Sequence, residues 1–339
     1  MGDRGVLLER VPLPEVPWSE LDALPDRTIF QTREWLDFLV TSQGAEPVVA
    51  QVRSDGRSVG WFTGALVRHA GIRFLGSPLR GWTTSYMGFN LEDRSLSVPA
   101  MEALRRFAFR DLGCIHLELM DRGIESDPGI RGFRAGRLSG YELRIDVSDD
   151  ELMGGMKKNG RRDVRRALRN GITVEEVDPV ADPGFAAEYY DQVRESFAKR
   201  SLVPTYPLER VESMIRHLHP AGRLLLLRSR DPEGAPAATG IFPGLPGAGA
   251  VFWMGASHRD KQALLPNEAL MWTALRTWRD RGAVTFDFGG GGQYKQKYGG
   301  TPVSVPWFRC SRFGVLEHGR TGVQKAVRLA QRRAGRTAA

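Results

Sequence analysis

Cysteine is nearly absent. The 339 residues hold two, Cys114 and Cys310, far apart. Isolated cysteines exclude a disulfide scaffold and a cysteine-based zinc site, and they fit a reducing compartment. Histidine is scarce as well, at six. His217 and His219 stand two apart with no clustered partner, so no metal site is expected. A long apolar run is also missing. The stretch from Gly234 to Ala256 comes nearest, but Pro236, Pro243 and Pro246 interrupt it, so it reads as two strands around a turn rather than a membrane span. The N-terminus places acids and prolines where a signal peptide needs an apolar run. Val6 stands where a myristoylation signal wants Ser or Thr. A soluble cytoplasmic protein without a membrane span is the expectation.

Lysine is the other scarcity. Lys+Arg number 48 against 40 acids, giving +8, yet only seven of the 48 are lysines. Two of those seven, Lys295 and Lys297, fall within three positions. With 41% hydrophobic and 26% charged residues, wholesale disorder is excluded. The positive balance points to a polyanionic partner. It is also local. Residues 156–170 carry seven cations and one acid, and residues 318–339 carry six cations and no acid. Without these two segments the chain would be mildly acidic.

What is present is a repeat. In the first half, PVVAQVR and GWFTGALVR flank the turn SDG, which reads as a hairpin. In the second half, RLLLLRS and APAATGIF flank DPEG. PAMEALRRFAFRDLG reads as a helix closed by Gly113 and followed by the strand CIHLELM. NEALMWTALRTWRDRG is its counterpart, closed by Gly282 and followed by AVTFDF. A glycine one step past a helix supplies the left-handed cap. The same order appearing twice predicts two duplicated units. The boundaries expected are 1–149 plus 308–339 for the first and 150–307 for the second, with an acidic helix start at Ser148 to Glu151.

That second unit opens on a basic helix, expected over residues 151–170. At ~100° per residue, Lys157, Arg161, Arg165 and Arg169 climb one side, with Lys158, Arg162 and Arg166 beside them. Met153, Met156, Val164, Ala167 and Leu168 gather on the other half. Only Asp163 offsets the seven cations, whereas a salt-bridged surface helix alternates sign. The face fits phosphate tracking, with a plain solvated face as the alternative.

The most informative stretch is VTFDFGGGGQYKQKYGG, Val284 to Gly300. A strand runs into four glycines, which permit unusual backbone and close ligand approach. It is not a Walker loop, because GxxxxGK[ST] is missing. It is not a dinucleotide fingerprint, because no acid follows ~20 positions on. Asp-Phe-Gly without a His-Arg-Asp loop is not a kinase metal site either.

The basic helix, the Asp-Phe-Gly-Gly strand end and the following Tyr-Lys-x-x-Tyr-Gly-Gly resemble the Fem-type transferases of the acetyltransferase-like (GNAT) superfamily. FQTREWLDFL (Phe30 to Leu39) and GSPLRGW (Gly76 to Trp82) are similar to the family's first domain. The resemblance spans about residues 28–310. It implies an α/β (α+β) fold of two tandem GNAT-like domains with a cleft between them, compact, without the family's helical hairpin. It implies transfer of an aminoacyl group from aminoacyl-tRNA to an amine, on a peptidoglycan precursor or a small natural product, by a monomer needing no cofactor. In the family, Lys295 would donate to the carbonyl oxygen or terminal phosphate, with Tyr294 packing by the terminal adenosine. Asp287 would accept a proton or hold the amine, or else be a structural strand-end residue. Arg200 and Tyr206 would face the acceptor. Trp253 would be a cleft aromatic, or a core one. The basic helix would meet the tRNA.

Two rival readings stay open. An acyl-CoA-dependent N-acyltransferase needs backbone amides at a helix N-terminus for the pyrophosphate. The matching place, HRDKQALLPNEALMW, has Leu265, Pro266 and Asn267 and no glycine. A non-catalytic RNA-binding module would leave the Gly-rich loop unexplained.

Overall fold

A computed structural model describes residues 5–124, 127–198 and 201–313. Among these residues the chain divides into two compact units, residues 5–139 with 304–313, and residues 140–303.

The first unit runs β1 (Leu7–Arg10), α1 (Trp18–Asp22), α2 (Arg33–Gln43), β2 (Glu46–Ser54), β3 (Arg57–His69), β4 (Ile72–Ser77), β5 (Gly88–Leu91), α3 (Ser97–Arg106) and β6 (His116–Met120). The β2–β3 turn is Asp55-Gly56, both at positive φ, 51° and 78°. That is the primed two-residue turn whose twist suits a hairpin. The strands order β1-β2-β3-β4-β6, with β5 also on β3. β3 therefore serves two partners. Its first half, Gly60–Thr63, pairs with β5, and its second half, Ala65–His69, pairs with β4. The ten residues 78–87 fill the interval between β4 and β5. β4 lies parallel to β6. Ala100, Met101 and Leu104 of α3 are buried in this unit's core with Phe62, Leu75 and Leu117. The expected helix from Pro99 ends differently from its counterpart. Beyond Arg106 the chain widens into a π-helical turn, Phe107–Asp111, before Gly113 at φ 66°.

The chain enters the second unit within β7 (Phe133–Arg144). There follow α4 (Asp149–Gly155), α5 (Lys158–Arg169), β8 (Thr173–Glu176), α6 (Phe185–Ala198), α7 (Leu208–Leu218), β9 (Leu224–Arg230), β10 (Pro236–Pro243), β11 (Gly249–Val251), β12 (Met254–Ser257), α8 (Pro266–Asp280), β13 (Thr285–Gly290) and β14 (Thr301–Ser311). β14 pairs antiparallel with β6 through Trp307–Ser311, in the first unit. In the second unit, β12-β10-β9-β8 form one antiparallel sheet, and β11 and β7 flank β13. β11 is parallel to β13, as β4 is to β6. α8 packs Leu270, Trp272, Leu275 and Trp278 into a core with Leu225, Leu227, Phe242 and Phe286. Trp278 Nε1 donates to the Phe242 carbonyl, 3.1 Å. Gly244 is required there, because a Cβ would come within 2.7 Å of the Trp278 ring.

Ser148 caps α4 with a reciprocal box, accepting from Glu151 N while Glu151 accepts from Ser148 N. The basic segment, expected as one helix, is two. Met156 and Lys157 take extended ψ, 149° and 156°. The Gly154–Gly155 pair before them has low helix propensity. The Lys157 amide leaves the helical pattern for the Lys297 carbonyl, 3.1 Å.

Candidate functional site

The segment 249–257 belongs to two sheets. Phe252 N donates to Asp287 O, 2.8 Å, on the β13 side. Trp253 N, the next amide, donates to Ile241 O, 3.2 Å, on β10. The strand thus splits at Phe252–Trp253, and the Gly-rich loop leaves β13 beside the split. Gly289, φ 69°, lies so close that an added Cβ would sit 3.9 Å from both Phe252 O and Lys295 Nζ.

Lys295 is buried, at 6% exposure. Its Nζ donates to the Phe288 and Gly290 carbonyls, the latter at 2.5 Å, and lies 5.9 Å from the Phe252 ring and 6.0 Å from the Tyr294 ring. Burial pushes its pKa down, and the Asp287 charge opposes this. An ammonium has three donors, so one stays open beyond the two carbonyls. Asp287 is buried too, with Oδ1 accepting from Gly289 N at 2.6 Å. Tyr294, at 54% exposure, presents its ring to solvent. Tyr298 is buried and stacked on Phe288, centroids 6.0 Å apart.

On the other side of the split, the Trp253 ring lies 5.0 Å from that of Tyr206. Tyr206 is buried. Its hydroxyl meets Tyr189 at 2.8 Å and Met254 Sδ at 3.1 Å, and burial raises its pKa to about 12. Its hydroxyl is thus occupied internally. Arg200 lies outside the described residues, as does the basic tail. Sequence reasoning missed Arg210, one turn into α7. Its half-buried guanidinium has an Nε that meets no acceptor, with Tyr206 as its charged-state neighbour. Its signal was present, an arginine four positions after Tyr206 at a helix start.

The seven basic residues at 157–169 separate by environment. Lys158, Arg165, Arg166 and Arg169 are exposed and meet no carboxylate among the described residues. Arg162 pairs with Asp163, 2.9 Å. Arg161 turns inward, donating to the Gly154 and Met156 carbonyls at 2.8 and 2.6 Å. Lys157 Nζ donates to Gln296 Oε1, 2.6 Å. Leu168, which periodicity places inward, is 49% exposed.

α8 starts without a phosphate cradle. Leu265 holds φ 63°, Pro266 has no amide, and Asn267 Nδ2 is tied to Ser257 Oγ, 3.0 Å. In the first turn, Glu268 accepts from Lys297 Nζ, 2.6 Å.

A strand split beside a long helix, in each unit, decides the architecture. The fold is a tandem GNAT fold. Residues 158–298 match the family model described as an acetyltransferase (GNAT) domain. Among solved structures the chain is similar to FemX, with 16% identity, TM-score 0.68, and 88% of this chain and 96% of that one covered. It is similar to a tandem GNAT protein from the clavulanic acid biosynthesis pathway, with 15% identity, TM-score 0.53, and 89% and 97% covered. L-PGS from Bacillus licheniformis matches at 14% identity, TM-score 0.50, with 89% and 96% covered. No curated protein sequence matches the chain. Residues 158–298 thus carry a domain of the acetyltransferase (GNAT) type. Among the described residues no helix is long and apolar enough to cross a membrane, and no cluster of three or more His, Cys, Asp or Glu could hold a metal ion.

Proposed function

We propose that the protein transfers an aminoacyl group from aminoacyl-tRNA to an amine, forming an amide, with a peptidoglycan precursor or a small natural-product amine as acceptor. The observation that carries this is the pairing of a buried Lys295 in the Gly-rich loop with an α8 start where Pro266 offers no amide to a pyrophosphate. The ester is already activated, so alignment and charge stabilisation suffice. The amine's lone pair forms the C–N bond, the ester C–O bond breaks, and the terminal ribose hydroxyl leaves with the proton that the amine gives up.

In this reading the third Lys295 proton faces the carbonyl oxygen as it gains charge, or the terminal phosphate. Tyr294 stacks on the terminal adenosine, which an exposed ring suits. Asp287 receives or relays the amine's proton. Trp253 lines the acceptor side with Tyr206 behind it, and Arg200 is assigned to the acceptor from the family resemblance alone. Arg210 offers a cation to an acceptor carboxylate. Lys158, Arg165, Arg166 and Arg169 face the tRNA backbone, with Arg162 beside them. The likeness to FemX supports the same reading at the level of fold.

One observation favours a second reading. The matched family model describes an acetyltransferase, which takes its acyl group from acyl-CoA. The deciding experiment supplies candidate amines with radiolabelled aminoacyl-tRNA and, separately, with labelled acetyl-CoA. Label passing from aminoacyl-tRNA to amine is the expected result. Label passing only from acetyl-CoA overturns the leading reading.

A further inference from the structure

Residues 157–163 do more than carry charge. The carbonyl of Lys297, two residues past Lys295, receives the Lys157 amide at 3.1 Å. Gly160 faces that same carbonyl: a Cβ there would overlap the oxygen and come within 2.7 Å of the carbon. Lys157 Nζ takes Gln296 Oε1, and Gln296 Nε2 in turn donates to Tyr141 OH, 3.1 Å. Lys297 Nζ is pinned by Glu268 at 2.6 Å, with Asp163 of α5 at 3.8 Å. Arg161 locks the bend between α4 and α5 through two carbonyls. Gln296 and Lys297 are therefore both held from outside, and Lys295 is buried immediately before them.

We propose that the first turn and a half of α5, with Gly160 at its contact point, is a clasp that positions Lys295 by gripping the main chain of Gln296 and Lys297. Gly160, Lys157 and Arg161 are positioning residues, and only the outer cations remain for a polyanion. This rests on the transfer reading solely in taking Lys295 as the group at the reacting centre. Glycine is required at 160 because helix and loop backbones touch there, and any side chain must push them apart. Once displaced, the loop would let water reach Lys295 and would weaken its hold on two carbonyls.

The test uses the full chain and reads Lys295 itself. Trace acetic anhydride labels the protein across a pH series, and peptide mass spectrometry follows Lys295 against Lys261 as reference. In Gly160→Ala, Lys295 is expected to label at least about threefold faster at the alkaline end of the series, where the amine is deprotonated and access sets the rate, with its titration moving up towards an ordinary lysine as it is resolvated. Lys261 should not change. A merely structural role would lower the melting temperature without moving that titration. Should Gly160→Ala fail to fold, the double variant Lys157→Ala, Gln296→Ala removes the side-chain tether and is expected to move Lys295 in the same direction. A folded variant with the wild-type Lys295 rate and pH profile overturns the proposal. A shifted Lys295 in a protein that transfers no acyl group from either donor would count against the transfer reading and leave the clasp standing.

Discussion

The two units hold the same device in two states. In each, a strand splits, one half running parallel to the strand after the long helix and the other pairing with the second hairpin strand. In the second unit only Phe252 and Trp253 separate the halves, and the split adjoins the lysine loop. In the first unit, residues 78–87 occupy the interval, and buried polar groups fasten them. Ser77 Oγ donates to Thr63 O and accepts from Gly88 N at 2.8 Å. Asp121, just past β6, accepts from Phe89 N and Gly123 N, both at 2.7 Å. Glu118 accepts from Arg80 N, 2.9 Å. Where the second unit has glycines and a lysine after its strand, the first has a carboxylate that closes the gap. The two units share this scaffold, and the residues after one strand decide whether the split is lined by a Gly-rich loop or closed by a carboxylate.

The sharpest way to break this comparison is at the lysine. Lys295→Ala should cut acyl transfer by about 10²-fold or more, measured per folded molecule, since losing two buried hydrogen bonds also lowers stability somewhat. Near-normal turnover would remove Lys295 from the chemistry. The first unit should answer differently. Gly88→Ala, at φ 82°, would drive a Cβ against the Asp121 carboxylate. It should cost about 2–3 kcal/mol of stability in denaturant melts, with activity per folded molecule unchanged.

Asp121 also predicts a pH signature. Burial raises its pKa to about 6, with Arg94 at 3.5 Å opposing the shift. The folded state then holds a proton more tightly than the unfolded chain, whose carboxyl titrates near ~4. Stability from this group is thus present at low pH and lost as pH rises through about 4 to 6. Asp121→Asn should flatten that slope; an unchanged slope would assign it to another group.

Smaller effects test the outer face. Reversing Lys158, Arg165, Arg166 and Arg169 to glutamate should weaken intact tRNA about tenfold in filter binding and lower the salt slope. An aminoacyl-adenosine mimic should be nearly unaffected, and equal losses would mean that the charge only decorates the surface. Smallest of all, Leu265→Gly should relieve a left-handed residue at φ 63° but lose its packing on Ala167, Ile172 and Ala269, leaving stability within about 1 kcal/mol of wild type in denaturant melts.

Much of the fold was legible in the sequence. The turn at Asp55-Gly56 announced a hairpin, Ser148 to Glu151 a helix start, and Gly113 and Gly282 the helix ends, because each rests on backbone rules that act within a few residues. The burial of Lys295 was not legible, since it depends on carbonyls and rings that the fold assembles around it. The break at Met156–Lys157 escaped because the 3.6-residue pattern continues across it. Only the Lys297 carbonyl, 140 residues on, makes the break worthwhile. Nothing in the local sequence marks Gly160 as a contact point, for the same reason. The filling of the first split was also hidden, because nothing in Pro78–Met87 itself says which amides Asp121 will collect.

The split at Phe252–Trp253 has a consequence for measurement. Two amides adjacent in the chain are protected by different sheets, one by the Asp287 carbonyl and the other by that of Ile241. Their hydrogen-exchange rates will report separate opening events. A ligand that tightens only the β13 side should slow Phe252 and leave Trp253 unchanged, so a single dipeptide can tell which wall of the notch a bound molecule grips.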